Sequence, residues 1–201
     1  MKFMRLITPV LAALTLASAN AQGQDVNQMV DTVCAKCHGK DGNSESPRYP
    51  KLAGQLKGYL LAQLKAFRDQ SRKDADAHAY MWGISQLVDD AMAVKLADYF
   101  SARKPARGTP GDAQLVAKGK AIYEAGVKSK NIPACVLCHA RDGQGISVFP
   151  RLAGQHAQYI AGQLKVFHTD DRPNLAVIMK PVVERLSDEE IAQVAAYLQG
   201  L

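Results

Sequence analysis

"CAKCHGKDGN" occupies residues 34–43 and "CVLCHARDGQ" occupies residues 135–144. All four cysteines of the 201-residue chain fall in these two stretches. Each pair is spaced Cys-x-x-Cys and runs directly into histidine: Cys34, Cys37 and His38, then Cys135, Cys138 and His139. Several chemistries compete for the pattern. A disulfide closing so short a loop removes little chain entropy. A zinc ribbon places its two Cys pairs roughly 15–20 residues apart, far closer than these lie. A thioredoxin-type redox pair sits in a strand-to-helix context, and no β-rich run precedes either site. The remaining reading is c-type haem attachment, in which both thiols add to vinyl groups and the adjacent histidine ligates the iron.

The N-terminus, "MKFMRLITPVLAALTLASANA", has Lys2 and Arg5, an apolar run from Leu6 to Ala17, and an Ala19-Asn20-Ala21 cleavage pattern. This reads as a secretory signal peptide cut after Ala21, because the apolar run is short for the ~20 residues a membrane span needs. An exported chain in a bacterium lies in the periplasm. The formal charge is +6. Without Lys2 and Arg5 it falls to about +4, with basic and acidic residues interspersed and no long basic run. Nucleic acid is therefore not an expected partner, whereas an acidic protein surface is. Aromatic residues make up only 6% of the chain, which implies thin cores that a large cofactor would fill.

Outward from the cysteines the chain repeats itself. "YPKLAGQLKGYLLAQLKAF" (49–67) matches "FPRLAGQHAQYIAGQLKVF" (149–167), and "MWGISQLVDDAMAVKLADYF" (81–100) matches "MKPVVERLSDEEIAQVAAYL" (179–198). Two long copies indicate an internal duplication rather than a short-period solenoid. Between them "SARKPARGTPGDA" (101–113) has linker composition. The expected organisation is a signal peptide at 1–21, a first domain at 22–101, a linker at 102–113 and a second domain at 114–201. The local pattern is all-α. Leu56, Tyr59, Leu60, Leu64 and Phe67 share one helical face. Ser187-Asp188-Glu189-Glu190 is a capping box, followed by a stripe of Ile191, Val194, Ala195 and Leu198. Asp89 or Asp90 starts the corresponding helix of the first copy. The Gly- and Pro-bearing stretches 41–51 and 142–150 read as loops.

A haem held by histidine needs a sixth ligand or an open site. Methionine opposite histidine raises the reduction potential and suits electron transfer. Beyond the signal peptide the methionines are Met29, Met81, Met92 and Met179. Met81 and Met179 hold equivalent places in the repeat, just ahead of the last helix of each copy, and are the expected ligands. Met29 has no such partner and Met92 falls within a helix. Any methionine can be core filler, and His78 competes with Met81. His156 and His168 stand where the first copy has Leu56 and Arg68 and read as surface histidines.

With these features in place, the two copies resemble class I cytochrome c domains, and residues 25–201 resemble the dihaem cytochrome c4 family. The duplicated "LAGQ" block and the twin methionines carry the likeness more specifically than the Cys-x-x-Cys-His motif. The resemblance implies two tandem all-α domains, each around one covalent haem c. It also implies that the carbonyls of Pro50 and Pro150 accept the ring N–H of His38 and His139, although shaping a loop would equally explain these prolines. Function follows as a periplasmic carrier of single electrons rather than an enzyme. Its donor would be a quinol-oxidising complex or a dehydrogenase, and its acceptor a terminal oxidase or another cytochrome. A loose association with the periplasmic face of the inner membrane fits that role. The alternative is an electron-transfer subunit of a periplasmic dehydrogenase such as a flavocytochrome c sulfide dehydrogenase. Catalysis at haem would need an open or displaceable site, which the paired methionines disfavour. The first copy departs from the second in placing Trp82 beside Met81 and lacking the "LSDEE" helix start.

Overall fold

The computed structural model describes residues 25–201; the expected signal peptide lies outside them. Among the described residues no helix is long and apolar enough to cross a membrane. Asp25 caps α1 (Val26–Met29) by accepting from the Asn27 backbone N–H at 3.1 Å. The helix continues through a π turn (Val30–Cys34) into α2 (Ala35–His38) and ends at Gly39. Then come α3 (Lys57–Arg68), a second π turn (Ala77–Met81) leading into α4 (Trp82–Ser85), and α5 (Asp90–Ser101). Both π turns end on residues of the expected haem site, Cys34 and Met81. Such wide turns are frequent at functional positions. Asp89, not Asp90, is the cap of α5, accepting from the Met92 N–H at 2.7 Å.

The second half comprises α6 (Ala113–Ala125), a 3₁₀ turn (Lys128–Lys130), α7 (Val136–His139), α8 (Ala157–Val166), α9 (Pro173–Val183) and α10 (Asp188–Gly200). The capping box forms as the sequence implies: Ser187 Oγ accepts from the Glu190 N–H, and the Glu190 carboxylate accepts from the Ser187 N–H at 2.7 Å. Among the described residues β pairing is limited to the isolated bridges Val127–Ile132 and Ile146–Phe149. The fold is all-α, as expected.

Each half has its own core. Val30, Leu60, Leu96, Ala97 and Phe100 fill the first; Tyr123, Ile160, Val183, Ile191, Val194 and Leu198 fill the second. In the second half α6 crosses α10 so closely at Gly119 that a Cβ there would come within 1.9 Å of the Gln193 carbonyl oxygen. The linker is pinned rather than loose. The Ala106 N–H donates to Asn43 Oδ1 at 2.7 Å, and Gln199 Nε2 donates to the Thr109 carbonyl at 2.8 Å.

The repeated "LAGQ" block joins the two halves. Gln55 Nε2 donates to the Arg151 carbonyl while the Arg151 N–H donates to Gln55 Oε1, both at 2.9 Å. Gln155 does the same to Lys51 from the other side, at 2.9 and 2.8 Å. The two clasps are reciprocal, as a pseudo-two-fold axis between the halves requires. Both glutamines are buried, and an amide bonded through both of its ends carries no desolvation penalty into the interface.

Candidate haem sites

The Asp-Gly that follows each Cys-x-x-Cys-His has a structural task. Asp41 Oδ1 accepts from the Asn43 N–H at 3.0 Å, an Asx turn. The carbonyl of Gly42 then accepts from the N–H groups of Leu52 and Ala53, at 2.7 and 3.1 Å. Gly143 receives Leu152 and Ala153 in the same way, at 2.7 and 3.0 Å. This folds each loop back over its histidine. His38 Nδ1 donates to the Pro50 carbonyl at 2.9 Å, and His139 Nδ1 to the Pro150 carbonyl at 2.9 Å. With Nδ1 as donor, the neutral ring leaves Nε2 as a lone-pair ligand, and the carbonyl fixes its orientation.

Both histidines are buried, and burial lowers their pKa while the proline carbonyl partly offsets it. A lowered pKa keeps both rings neutral at pH 7, the form that can ligate a metal.

Each attachment helix ends in the same backbone corner. Gly39 has φ 75° and ψ 151°; Ala140 has φ 66° and ψ 162°. That region favours glycine, and a side chain held there costs about 1–3 kcal/mol. Ala140→Gly should stabilise the protein by up to that amount in thermal unfolding, with haem content unchanged.

All four cysteines are half-buried and no disulfide joins them. The structure brings Cys34, Cys37, His38 and Met81, together with Cys135, Cys138, His139 and Met179, to the walls of one continuous cavity of about 580 Å³. Met81 and Met179 are half-buried. His78 stays outside the cavity, exposed, with its ring edge-on to Trp82 at 4.5 Å. Met29 and Met92 pack in the first core. The expectation for His156 is corrected: it is half-buried and bonds across the interface through Nε2 to the Ser44 carbonyl at 2.8 Å. His168 is exposed but bonds to the Val183 carbonyl at 2.9 Å.

Lining the cavity is a polar cluster that the sequence reading missed. Arg72 Nη1 donates to Gln63 Oε1 at 2.8 Å and Nη2 to Gln163 Oε1 at 2.9 Å. Arg172 Nη1 donates to Gln163 Oε1 at 2.7 Å and Nη2 to Gln63 Oε1 at 3.4 Å. Each guanidinium also reaches the tyrosine of the opposite half, Arg72 to Tyr159 and Arg172 to Tyr59. Each lies 4.7 Å from the phenylalanine ring of its own half, Phe67 or Phe167. A signal was available, because Tyr59/Tyr159, Gln63/Gln163 and Arg72/Arg172 occupy matching places in the repeat. Gln63 Nε2, Arg151 Nε and Arg172 Nε are buried and have no partner in the protein. An apolar cavity with unpartnered buried donors fits a flat apolar macrocycle that carries carboxylates. Among the described residues no cluster of three or more His, Cys, Asp and Glu could hold a metal ion.

A family model for cytochrome c matches residues 23–102 and again residues 116–201. The chain belongs to the cytochrome c family. This cytochrome is 37% identical to "Cytochrome c4" of Azotobacter vinelandii, over 98% of both chains. It is 34% identical to "Thiosulfate dehydrogenase electron acceptor" of Thiomonas intermedia, over 82% of this chain and 76% of that protein. The crystal structure of reduced cytochrome c4 from Pseudomonas stutzeri superposes with a TM-score of 0.78 at 35% identity, covering 88% of this chain and 98% of that one. Its two cytochrome c domains bind two haem c groups, and it is a dihaem electron-transfer cytochrome rather than an enzyme. Its partners are redox proteins.

Proposed function

We propose that this chain is a periplasmic shuttle that takes single electrons from a quinol-oxidising complex or a dehydrogenase and delivers them to a terminal oxidase or another cytochrome. The shared cavity is the observation that carries the reading, because both halves open into one apolar space across their interface. In this reading Cys34, Cys37, Cys135 and Cys138 form the thioether bonds. His38 and Met81 ligate one iron, and His139 and Met179 the other. Haem iron supplies the reversible one-electron step. The protein's residues would hold it, exclude water and supply histidine and methionine ligands, a set that favours transfer over catalysis.

The two cavity mouths differ, which supports different partners at the two ends. In the second half Leu137, Val148 and Ile178 line the mouth and are exposed. The corresponding first-half positions are Lys36, Arg48 and Tyr80, where Arg48 pairs with Asp76 at 3.1 Å and lies over the Tyr80 ring. Exchange at the first end should weaken with salt, and exchange at the apolar end should not.

A second reading has the chain as the dedicated acceptor of a thiosulfate-oxidising dehydrogenase, on the strength of the Thiomonas intermedia relative's name. The test is to reduce the oxidised holoprotein in turn with a quinol-oxidising complex and with a thiosulfate dehydrogenase, following absorbance across a salt series. Fast reduction by the quinol-oxidising complex supports the shuttle. Reduction by the dehydrogenase alone supports the second reading. Rapid binding of carbon monoxide to the reduced protein at neutral pH would overturn both, since it requires a site that is not closed.

A further inference from the structure

Met81 and Met179 stand at matching places in the repeat, but the residues that follow them do not match: Trp82 in the first half, Lys180 in the second. Each ties its methionine segment to the loop that leaves the preceding helix, α3 or α8, and each does so by a different bond. Trp82 is half-buried, and its Nε1–H donates to the Arg72 carbonyl at 2.8 Å. The same peptide unit is fixed from its other side, because the Lys73 N–H donates across the interface to the Asp171 carbonyl at 2.7 Å. Arg72 itself is buried. The Trp82 carbonyl accepts from Ser85 Oγ at 2.9 Å, and Ser85 is buried as well. The indole thus anchors the Met81 segment to a fixed part of the interface. Its bond is neutral, and salt screens charges rather than neutral bonds.

Lys180 offers a weaker hold. Its Nζ donates to Asp170 Oδ1 at 3.2 Å, and the Asp170 side chain is 92% exposed. An exposed ion pair contributes little and weakens with salt. Pro181 lies inside α9, two residues past Met179, and has no N–H for the carbonyl one turn back. We propose that Trp82 is the positioning residue of the first methionine, so that Met81 has a salt-insensitive anchor and Met179 a salt-sensitive one. The inference rests on the His/Met reading of the two haem sites. It adds a difference in how easily each thioether gives way to an added ligand. Residues that support a ligand from behind govern how firmly it is presented. Met179 should therefore yield first, and sooner in salt.

Imidazole titration of the oxidised holoprotein tests this, followed by the weak far-red absorbance of methionine-ligated ferric haem. The band should disappear in two equal steps. The first step should move to lower imidazole concentration as sodium chloride is raised, and the second should stay. Met179→Ala should leave only the resistant step, and Met81→Ala only the salt-sensitive one. Trp82→Phe keeps an aromatic ring but removes the N–H. It should lower the imidazole midpoint of the resistant step by about three- to tenfold, the factor that one neutral hydrogen bond carries, and leave the other step in place. Lys180→Gln should lower the salt-sensitive midpoint and abolish its response to salt. A merely structural tryptophan would move the unfolding midpoint without moving one ligand step alone. Two steps with the same salt response, or an unmoved resistant step in Trp82→Phe, overturn the proposal. Should Trp82→Phe fail to fold, the salt series on the unaltered protein and Lys180→Gln decide. If each methionine variant removes half the band while these results fail, the proposal falls and the His/Met reading stands; a band untouched by either methionine variant sinks both.

Discussion

Met179→Ala should remove half of the weak far-red absorbance that marks a methionine–iron bond in the ferric protein, and Met81→Ala the other half. Each variant should also drop one potential and leave the other close to its original value. The reasoning starts from ligand softness and repeat position. A thioether favours ferrous iron more than water or a second imidazole does, so its loss lowers the potential of that site. Met81 and Met179 line the cavity that holds both histidines, whereas Met29 and Met92 are buried in the first core. Met92→Leu is therefore the control: it should cost under about 1.5 kcal/mol as a volume-conserving core change and leave the band whole. If His78 were the first ligand, Met81→Ala would keep the full band and His78→Ala would alter that site instead. A band untouched by either methionine substitution would remove both assignments.

Arg72→Leu should destabilise the protein by about 3–5 kcal/mol, because it strands a buried carboxylate without its cation. For a chain of this length that corresponds to a drop in unfolding temperature of roughly 6–20 °C. Burial works against the charge on Arg72, but Tyr159 and Asp74 more than compensate, and its pKa is held above the usual arginine value. Removal of the guanidinium also takes donors from Gln63 and Gln163, on which the two halves meet. Pairing the change with Asp74→Leu should cost less than Arg72→Leu alone, since no unpaired charge remains. A double variant at least as unstable as the single would show that packing, not charge, carries the effect. If the four cysteines hold the haems as proposed, the single variant should keep both haems attached.

Much of the molecule was legible along the chain because its evidence is local. The attachment motif lies within five residues. The capping box at Ser187 and the helical stripe at Ile191, Val194, Ala195 and Leu198 obey short-range geometry that no tertiary contact needs to supply. The repeat then carried information across the halves, singling out Met81 and Met179 by position. Elsewhere local signals were too weak. The choice between Asp89 and Asp90 as the cap of α5 depends on one backbone turn. His156 looked like a surface residue because nothing nearby in sequence announces the Ser44 carbonyl it meets from the other half.

The sequence by itself determined a duplicated all-α chain of two cytochrome c domains, with a Cys-x-x-Cys-His motif and a methionine at matching places in each. Tertiary structure alone decided what the other repeated residues do. "LAGQ" reads as part of a helix entry, yet Gln55 and Gln155 clasp the backbone of the opposite half. Gln63 and Gln163 lie on helices whose apolar face dominates the pattern, yet with Arg72 and Arg172 they build one buried cluster. The physical reason is that hydrogen bonds and charges across an interface join residues about a hundred positions apart. Their energy depends on burial and on the partner's exact placement, and neither leaves a periodic mark on the chain.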